Sequence, residues 1–464
     1  MSYVPTTDPE RRAMLDAIGV EQFDALVQAV PADLRFPHLR LPEALSEIEA
    51  LRTLGALAER NADAVRYPTF LGAGAYNHFT PAAVRHTAFR GEFYTAYTPY
   101  QPEVSQGTLQ VIYEFQTLMT QLYGMEVSNA SMYDGATALA EAALMAISST
   151  KRRRVVVADS VHPAYRKVMA TYMSGLDVEL ATVACVNSGT LTTTVADVRA
   201  ALNDRTACLV VQYPSFVGTI DDLAALGEAA HAVGALLIVS SYPVALGMLK
   251  PPGAFGADVA VGEAQCFGTG LSFGGPFLGV LTCRQSLVRL MPGRVVGQTT
   301  DTTGRPGYVL TLQTREQHIR RERATSNICT NEGLNALMAT IQMAMLGDGG
   351  VRELARQCYH KAHYLAGAIG ALPGYAVLNA DGTTQNGAGP ATTFFNEFVV
   401  RTSIAPAELN ARLLDAGMIG GYDLGADYPA LTGHMLICAT EMLDRAMLDR
   451  FVAILASAGS CQVK

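Results

Sequence analysis

The stretch C-L-V-V-Q-Y-P-S-F-V-G-T-I-D-D-L-A-A-L-G-E-A-A-H-A-V-G-A-L-L-I-V, Cys208 to Val239, decides the fold class. Its ends, Cys208–Gln212 and Leu236–Val239, are short uncharged runs rich in β-branched residues, the composition of strands buried on both faces. Between them Leu223, Leu226, Ala229, Ala230 and Val233 recur at helical spacing from Asp222, and Gly234 supplies a C-cap. Strand, helix and strand in that order imply a crossover and parallel pairing. Val155–Ala158 upstream and Asp258–Val261 downstream extend the sheet, and the glycine-rich Gly268–Leu281 predicts a turn into a returning strand. The class is α/β with a large, mostly parallel sheet.

Working outward, helices are expected over Ser105–Tyr123 and from Asp134 to about Ser148. Residues 1–60 predict an amphipathic helical arm, with Asp8 as cap, Pro9 first in the helix, and Met14, Leu15, Ile18, Phe23, Leu26 and Val27 as its apolar stripe. After Asn327 the pattern changes to long helices at 332–346 and 351–372. Short strands follow near Tyr375, Phe394–Val400 and Met435–Ala439, with helices at Pro406–Ala416 and Glu441–Ala456. The expected division is an arm (1–60), a large α/β domain (61–330) and a small C-terminal α+β domain (331–464). Asp381–Pro390 looks like a low-complexity loop.

Of the 464 residues, 49% are hydrophobic and only 16% charged, against roughly 25% charged in an average soluble protein. That deficit hints at surface covered by another chain. A net charge of -8 offers no attraction to nucleic acid or anionic lipid. Cysteines at 185, 208, 266, 283, 329, 358, 438 and 461 form no C-x-x-C pair and no close Cys/His cluster, so no metal site is expected and the thiols read as reduced and mostly buried. The N-terminal M-S-Y-V-P-T-T-D-P-E-R-R lacks the pattern of a secretory signal, and the uncharged run Ala232–Leu249 carries glycine, serine and proline unsuited to a membrane span, so a cytoplasmic location is expected.

Several residues could carry chemistry. D-G-A-T-A at Asp134–Ala138 places Gly135 and Thr137 at a helix start, where free N–H groups favour a phosphate; a capped helix without ligand is the plainer reading. His162 follows the strand Val155–Ala158, in a loop of the kind that lines ligand crevices, or is satisfied there by backbone. Asn77-His78 is a second such candidate, with turn chemistry as its alternative. The aromatic, proline-rich loop Tyr97–Glu103 is of the functional or interface-forming kind. Lys151–Arg154 reads as a solvated turn. Arg315, Arg320, Arg321 and Arg323 read as one helix face with Glu316 and Glu322, or as a contact for an acidic partner.

Y-T-P-Y-Q-P-E-V-S-Q-G (Tyr97–Gly107), S-M-Y-D-G-A-T-A (Ser131–Ala138), L-K-P-P-G-A-F-G-A-D (Leu249–Asp258), F-G-G-P (Phe273–Pro276) and R-E-Q-H-I-R-R-E-R-A-T-S-N-I-C-T-N (Arg315–Asn331) occur in one order across the chain. Together they resemble the glycine dehydrogenase (decarboxylating) P-protein of the glycine cleavage system, in particular subunit 1, the α subunit of its two-chain bacterial form. The resemblance implies the aspartate aminotransferase-like fold type I of pyridoxal phosphate (PLP) enzymes. It also implies an α2β2 assembly with a PLP-bearing subunit 2 (β), glycine as substrate, and transfer of the aminomethyl group to the lipoyl arm of H-protein with release of CO2.

A PLP enzyme needs a lysine that holds the cofactor covalently. The only lysines are Lys151, Lys167, Lys250, Lys361 and Lys464. In the catalytic chains of the family that lysine lies between the G-x-D strand and the G-G-P turn; here that place falls at about Gln265 or Cys266, and no lysine occurs from 251 to 360. The acid that such enzymes pair with the pyridine nitrogen is also missing, since the central strand ends in Ser240-Ser241-Tyr242. With both anchors gone, the expectation is a subunit that carries no PLP, is inactive alone, and lines a substrate or lipoyl channel through Asn77, His78, Tyr97, Thr98, Tyr100, Gln101, Glu103 and His162. Asp134, Gly135 and Thr137 would then be a vestigial phosphate turn. The alternatives are a stand-alone scaffold, or a self-sufficient enzyme of the same fold using a residue such as Cys266.

Overall fold

The uncharged runs between residues 154 and 263 form the centre of a seven-stranded sheet in a computed structural model of the chain, which describes residues 6–35, 40–324, 326–384 and 394–460. Its strands are β1 (Val127–Ser128), β2 (Arg154–Ala158), β3 (Glu179–Val183), β4 (Thr206–Tyr213), β5 (Leu236–Ser241), β6 (Val259–Glu263) and β7 (Gly279–Cys283). They lie in the order β1-β7-β6-β5-β4-β2-β3. The five from β6 to β3 pair in parallel, and β7 returns antiparallel along β6, with β1 antiparallel at the edge. Residues 155–158, 207–211, 237–241 and 259–261 are buried throughout. Each fully buried Val or Leu contributes about 1.5–3 kcal/mol, which is why these strands are continuous apolar runs. β3 is different. At the sheet edge it buries only Val183, so it has no apolar run and is not expected from the sequence.

The helix Gly135–Thr150, capped by Asp134, and the helices Gln106–Tyr123 and Leu223–Ala232 pack on this sheet. A hairpin, β8 (Val295–Thr300) and β9 (Pro306–Thr311), also absent from the sequence expectation, turns through Gly304 in the left-handed region. A second, antiparallel sheet runs β10-β11-β13-β12 (Ala376–Val377, Glu397–Arg401, His434–Cys438 and Tyr422–Asp423). Its core contains Phe70, Leu365, Ile369, Phe398, Ile437 and Phe451. The two helices expected at 332–346 and 351–372 are one run, Gly333–Gly370, broken at Gly347 where φ is 59° and ψ −177°. The helix expected from Glu441 begins instead at Arg445, because Glu441 is committed to other partners. Both cores belong to one compact unit beginning at Asp63. The loop Asp381–Pro390 lies largely outside the described residues.

Residues up to Ala62 form a separate unit. It holds helices Asp8–Ile18 and Glu47–Ala58 and two short 3-10 turns. Thr7 caps the first helix, not Asp8: Glu10 accepts from the Thr7 N–H at 2.7 Å, Thr7 Oγ1 accepts from the Glu10 N–H at 3.4 Å, and Asp8 and Pro9 fall inside the helix. A hydroxyl three residues before a glutamate makes this reciprocal box, and Ser46 with Glu49 repeats it on the second helix.

No described helix is long and apolar enough to cross a membrane. Cys185, Cys208, Cys266, Cys283, Cys358 and Cys438 are buried, Cys329 is exposed, and Cys461 lies outside the described residues.

The tightest point in the sheet gives a test of the packing. A methyl group at Gly262 would lie 2.1 Å from the Tyr123 hydroxyl and 2.3 Å from the carbonyl of Ser241. Gly262→Ala should therefore lower unfolding stability in urea by about 1–3 kcal/mol; an unchanged midpoint and slope would contradict this packing.

Candidate functional site: the crevice at the strand ends

In open α/β sheets, ligands bind outside the carboxyl ends of the strands. Here a loop spanning residues 70–79 crosses that edge. Gln265, two residues past the end of β6, accepts the Tyr76 N–H and donates to the Tyr76 carbonyl, both at 3.1 Å, and donates to the Thr269 carbonyl at 2.9 Å. All of its amide groups are thereby used. The Tyr76 ring lies 4.1 Å from that of Tyr242, at the end of β5. Its hydroxyl donates to Glu397 of β11 at 2.6 Å, and the other Glu397 oxygen accepts the Ala73 N–H at 2.7 Å. The loop can approach this closely because it is glycine-rich: a Cβ at Gly72 would lie 2.3 Å from Glu397 Oε1, and one at Gly74, whose φ is +101°, 2.5 Å from His162 Nε2. The cavity left among Tyr76, Pro214, Ser215, Tyr242, Asn396 and Glu397 is about 10 Å3, room for one water molecule.

The phosphate-type turn is occupied by carboxylates of the chain itself. Asp134 accepts the Thr137 N–H at 2.7 Å, and Glu263 accepts the N–H groups of Gly135, Gln265 and Leu278 at 2.8–3.0 Å. The Tyr165 hydroxyl lies 2.5 Å from where a Cβ on Gly135 would stand, so the space above the turn is filled as well.

His162, the cap of the helix Pro163–Met173, donates from Nε2 to the Ala73 carbonyl at 2.9 Å and accepts the Ala164 N–H on Nδ1 at 3.1 Å. Tyr165 and Phe216 pack on its ring with centroids 4.6 Å away. Burial pulls its pKa down to about 4, so it is neutral and has no group left for a substrate. His78 is equally enclosed. Its Nδ1 bonds Glu441 at 2.7 Å and its Nε2 shares a hydrogen bond with the Tyr242 hydroxyl, while Glu441 also accepts the Phe79 N–H at 2.7 Å. Cys358 joins the Glu441 carboxylate at 3.6 Å, so His78, Cys358 and Glu441 cluster closely enough to hold a cation. Each donor already has a partner within the cluster. The Asn77 carbonyl accepts the Thr440 hydroxyl at 2.8 Å. Asn77, His78 and His162, expected at a substrate or lipoyl channel, thus bond within the chain and hold the 70–79 loop in place.

The Tyr97–Glu103 loop is separate, and among the described residues no hydrogen bond joins it to Asn77, His78 or His162. Tyr97 is 77% exposed and Tyr100 51%; Gln101 and Glu103 are exposed too. Thr98 shares a hydrogen bond with Thr330 at 3.2 Å. The Arg294 guanidinium lies 5.3 Å from the centre of the Tyr100 ring, and His318 meets that ring edge-on at 5.9 Å. Beside the loop is a groove of about 150 Å3 lined by Tyr94, Tyr97, Pro99, Val111, Leu334 and Leu337.

Arg315 and Glu316 do not lie on an exposed helix face. They are buried, with Glu316 3.4 Å from Arg294 and Arg315 donating to the Gly293 carbonyl at 2.9 Å. Arg320, Arg321, Glu322 and Arg323 are exposed, on short turns. Arg154 is not free in solvent either, since it pairs with Glu179 at 2.8 Å.

A model of the glycine cleavage system P-protein family matches residues 1–454. The chain belongs to this family. It is 55% identical over 459 residues to the probable glycine dehydrogenase (decarboxylating) subunit 1 of Thermomicrobium roseum, covering 99% of this chain and 100% of that one. With the protein of the same name from Geobacillus kaustophilus it shares 49%, over 97% of each. A solved glycine decarboxylase (P-protein) of the glycine cleavage system, in inhibitor-bound form, superposes with a TM-score of 0.87 at 40% identity, covering 98% of this chain and 100% of that one. A glutamate decarboxylase from Lactobacillus brevis, at 14% identity and TM-score 0.64, covers 91% of this chain and 94% of that one, and shares the fold alone. The architecture is thus that of fold type I PLP enzymes.

The residues of this P-protein chain do not fit the cofactor of that fold. At the place expected for the lysine stand Gln265, its amide spent on Tyr76, and the buried Cys266. Ser241, buried with its hydroxyl unpartnered, ends the strand where an acid is expected, and side chains fill the remaining space.

The crevice predicts a pH signature. Burial raises Glu397 to about 7, against the hydrogen bonds from Tyr76 and Ala73 that favour its charge. The folded chain thus keeps this carboxyl protonated after the unfolded chain has ionised it. Its stabilisation is complete below the ordinary glutamate range and is lost as the pH rises through about 7. From pH 4 to pH 8 the wild type should lose on the order of 3 kcal/mol relative to Glu397→Gln, measured by urea unfolding. Parallel pH curves for the two would count against a protonated Glu397.

Proposed function

We propose that this chain is the α subunit of glycine decarboxylase and carries no PLP of its own. In this reading it assembles as α2β2 with subunit 2, which bears the cofactor. The pair decarboxylates glycine and passes the aminomethyl group to the lipoyl arm of H-protein, releasing CO2, in the cytoplasm. The observation that carries the reading is the crevice closed by Gln265, Tyr76 and Tyr242, with a cavity of about 10 Å3, in a chain of this family. Electron withdrawal from the substrate carbon is then supplied by the partner's cofactor.

This chain would contribute walls and orientation. The Tyr97–Glu103 loop is held by Pro99 and Pro102, which fix the backbone and reduce the entropy lost when a ligand is ordered. Arg294 and His318 brace the Tyr100 ring, leaving it half-exposed. Tyr100 and Glu103 are therefore the groups we assign to orienting glycine or the lipoyl arm, with Tyr97, Thr98 and Gln101 beside them. A self-sufficient enzyme using Cys266 is disfavoured, because burial pushes that thiol well above its ordinary pKa and keeps it protonated.

Three outcomes test the proposal. Each chain assayed alone should be inactive, and the mixture active; activity of this chain alone would overturn it. Gln265→Lys should still give no stoichiometric pyridoxyl adduct after PLP and borohydride, because the space is filled and not merely unreactive. In the assembled enzyme, Tyr100→Phe and Glu103→Gln should each lower glycine decarboxylation by about 10-fold or more without dissociating the subunits. Full activity in both variants would remove the loop from the site.

A further inference from the structure

Among the described residues one set of side chains brings three metal-ligating atoms together: His78 Nδ1, Cys358 Sγ and a Glu441 oxygen all lie within 4.8 Å of one another. They come from three parts of the chain: the 70–79 loop, the helix Gly333–Gly370 beyond its break at Gly347, and the segment before the helix Arg445–Ser460. Glu441 is 363 residues from His78 and 83 from Cys358, so no spacing in the sequence marks the cluster. The His78 side chain is 2% exposed and that of Glu441 16%, and Cys358 is fully buried. Hydrogen bonds alone compensate these groups thinly. One Glu441 oxygen, Oε2, serves both neighbours, His78 at 2.7 Å and Cys358 at 3.6 Å, and a thiol is a weak donor. The nearby Lys361 is spent on the Glu441 backbone carbonyl, at 2.5 Å. Burying a carboxylate is costly unless it is paired or coordinates a metal.

The donors select the ion. Imidazole, thiolate and one carboxylate oxygen suit Zn2+ and its transition-metal neighbours, whereas Mg2+ and Ca2+ take oxygen ligands. A tetrahedral Zn2+, with Zn–S about 2.3 Å and Zn–N and Zn–O about 2.0–2.2 Å, sets sulfur and oxygen about 3.6 Å apart and nitrogen and oxygen about 3.4 Å apart. The separation of Cys358 and Glu441, 3.6 Å, already has that value. That of His78 and Glu441 has to open from 2.7 Å by about 0.7 Å, a small swing of the carboxylate. Charge closes too: Zn2+, one thiolate, one carboxylate and a neutral imidazole sum to zero. The outer partners that orient ligands at metal sites are also in place. His78 Nε2 meets the Tyr242 hydroxyl, and the second Glu441 oxygen accepts the Phe79 N–H at 2.7 Å.

We propose that His78, Cys358 and Glu441 form a zinc site, which clasps the 70–79 loop to the long helix and to the segment leading into the last one. Zn2+ takes His78 through Nδ1, Cys358 as its thiolate and Glu441 through Oε2, and water fills the fourth position on the side where Glu441 is partly exposed. The thiol proton passes to solvent. The ring proton of neutral His78 then stands on Nε2 and is donated to Tyr242. The site goes beyond the subunit reading and does not depend on it.

The test uses the full chain, stripped with a chelator and titrated with Zn2+, and with Co2+ as a spectroscopic probe. One equivalent should bind, with a thiolate-to-cobalt absorption band and a raised thermal midpoint. Cys358→Ser and Glu441→Gln preserve size and hydrogen bonding. Each should weaken Zn2+ binding by about 100-fold or more, beyond the effect of losing an outer partner, and abolish the rise in midpoint; Cys358→Ser should also remove the cobalt band. Cys329→Ser, at an exposed cysteine, should change none of these. Absence of binding by the wild type would overturn the proposal, as would binding that survives Cys358→Ser or is lost in Cys329→Ser. X-ray absorption of the zinc-loaded wild type reads the ligands even if a variant fails to fold. One sulfur with nitrogen and oxygen is expected; a shell with no sulfur, or with two or more, would overturn the site.

Discussion

Gln265 and the backbone of Tyr76 exchange two hydrogen bonds, and that pairing holds the 70–79 loop over the carboxyl ends of the sheet. The arrangement is two-sided. From the opposite direction Glu397 of the second sheet takes the Tyr76 hydroxyl and the Ala73 N–H. One loop is therefore fixed to both sheets by buried hydrogen bonds. Leaving one buried partner unsatisfied costs about 1–3 kcal/mol, so loosening the loop at either end is unfavourable. His162 and the His78–Glu441 pair, which looked from the sequence like ligands for a substrate, complete the same fixation.

The consequence for chemistry is a division of labour. A fold whose carboxyl-edge crevice ordinarily receives a cofactor has that crevice packed with tyrosines, a glutamine and buried acids. Glu263 occupies the helix-start N–H groups that would attract a phosphate, and burial raises it to about 7 against those three hydrogen bonds. What the chain still presents outward is rigid and aromatic: the 97–103 loop, braced by a buried Arg294–Glu316 pair. Buried pairs of this kind give little net stability once desolvation is counted, and their use is better understood as fixing a geometry.

The sheet was legible because parallel strands buried on both faces need uninterrupted apolar runs, and Cys208–Gln212 or Leu236–Val239 could hardly serve otherwise. The missing lysine was legible because it is a matter of residue identity. β3 was not, since an edge strand with one buried residue leaves no pattern, and neither was the β8–β9 hairpin, whose strands are mixed in polarity. Thr7 rather than Asp8 caps the first helix because the reciprocal box with Glu10 uses one residue earlier; the T-x-x-E spacing was present and could have identified it. The closure of the crevice could not have been read at all. Tyr76 meets Glu397 across 321 residues and Gln265 across 189, and no local periodicity encodes either contact. For the same reason His162 could be recognised as a polar group after a strand, and Asn77 and His78 as polar groups of a loop, but the partners of none of the three could be read.

The central claim is that one member of the pair has a closed crevice and the other holds the cofactor. Quantifying PLP released from the intact, active assembly, against the amount of each chain, addresses it most directly. One PLP for each pair of unlike chains, all of it recovered with subunit 2, is the predicted result. Two PLP per pair, or any stoichiometric share recovered with this chain, would contradict it.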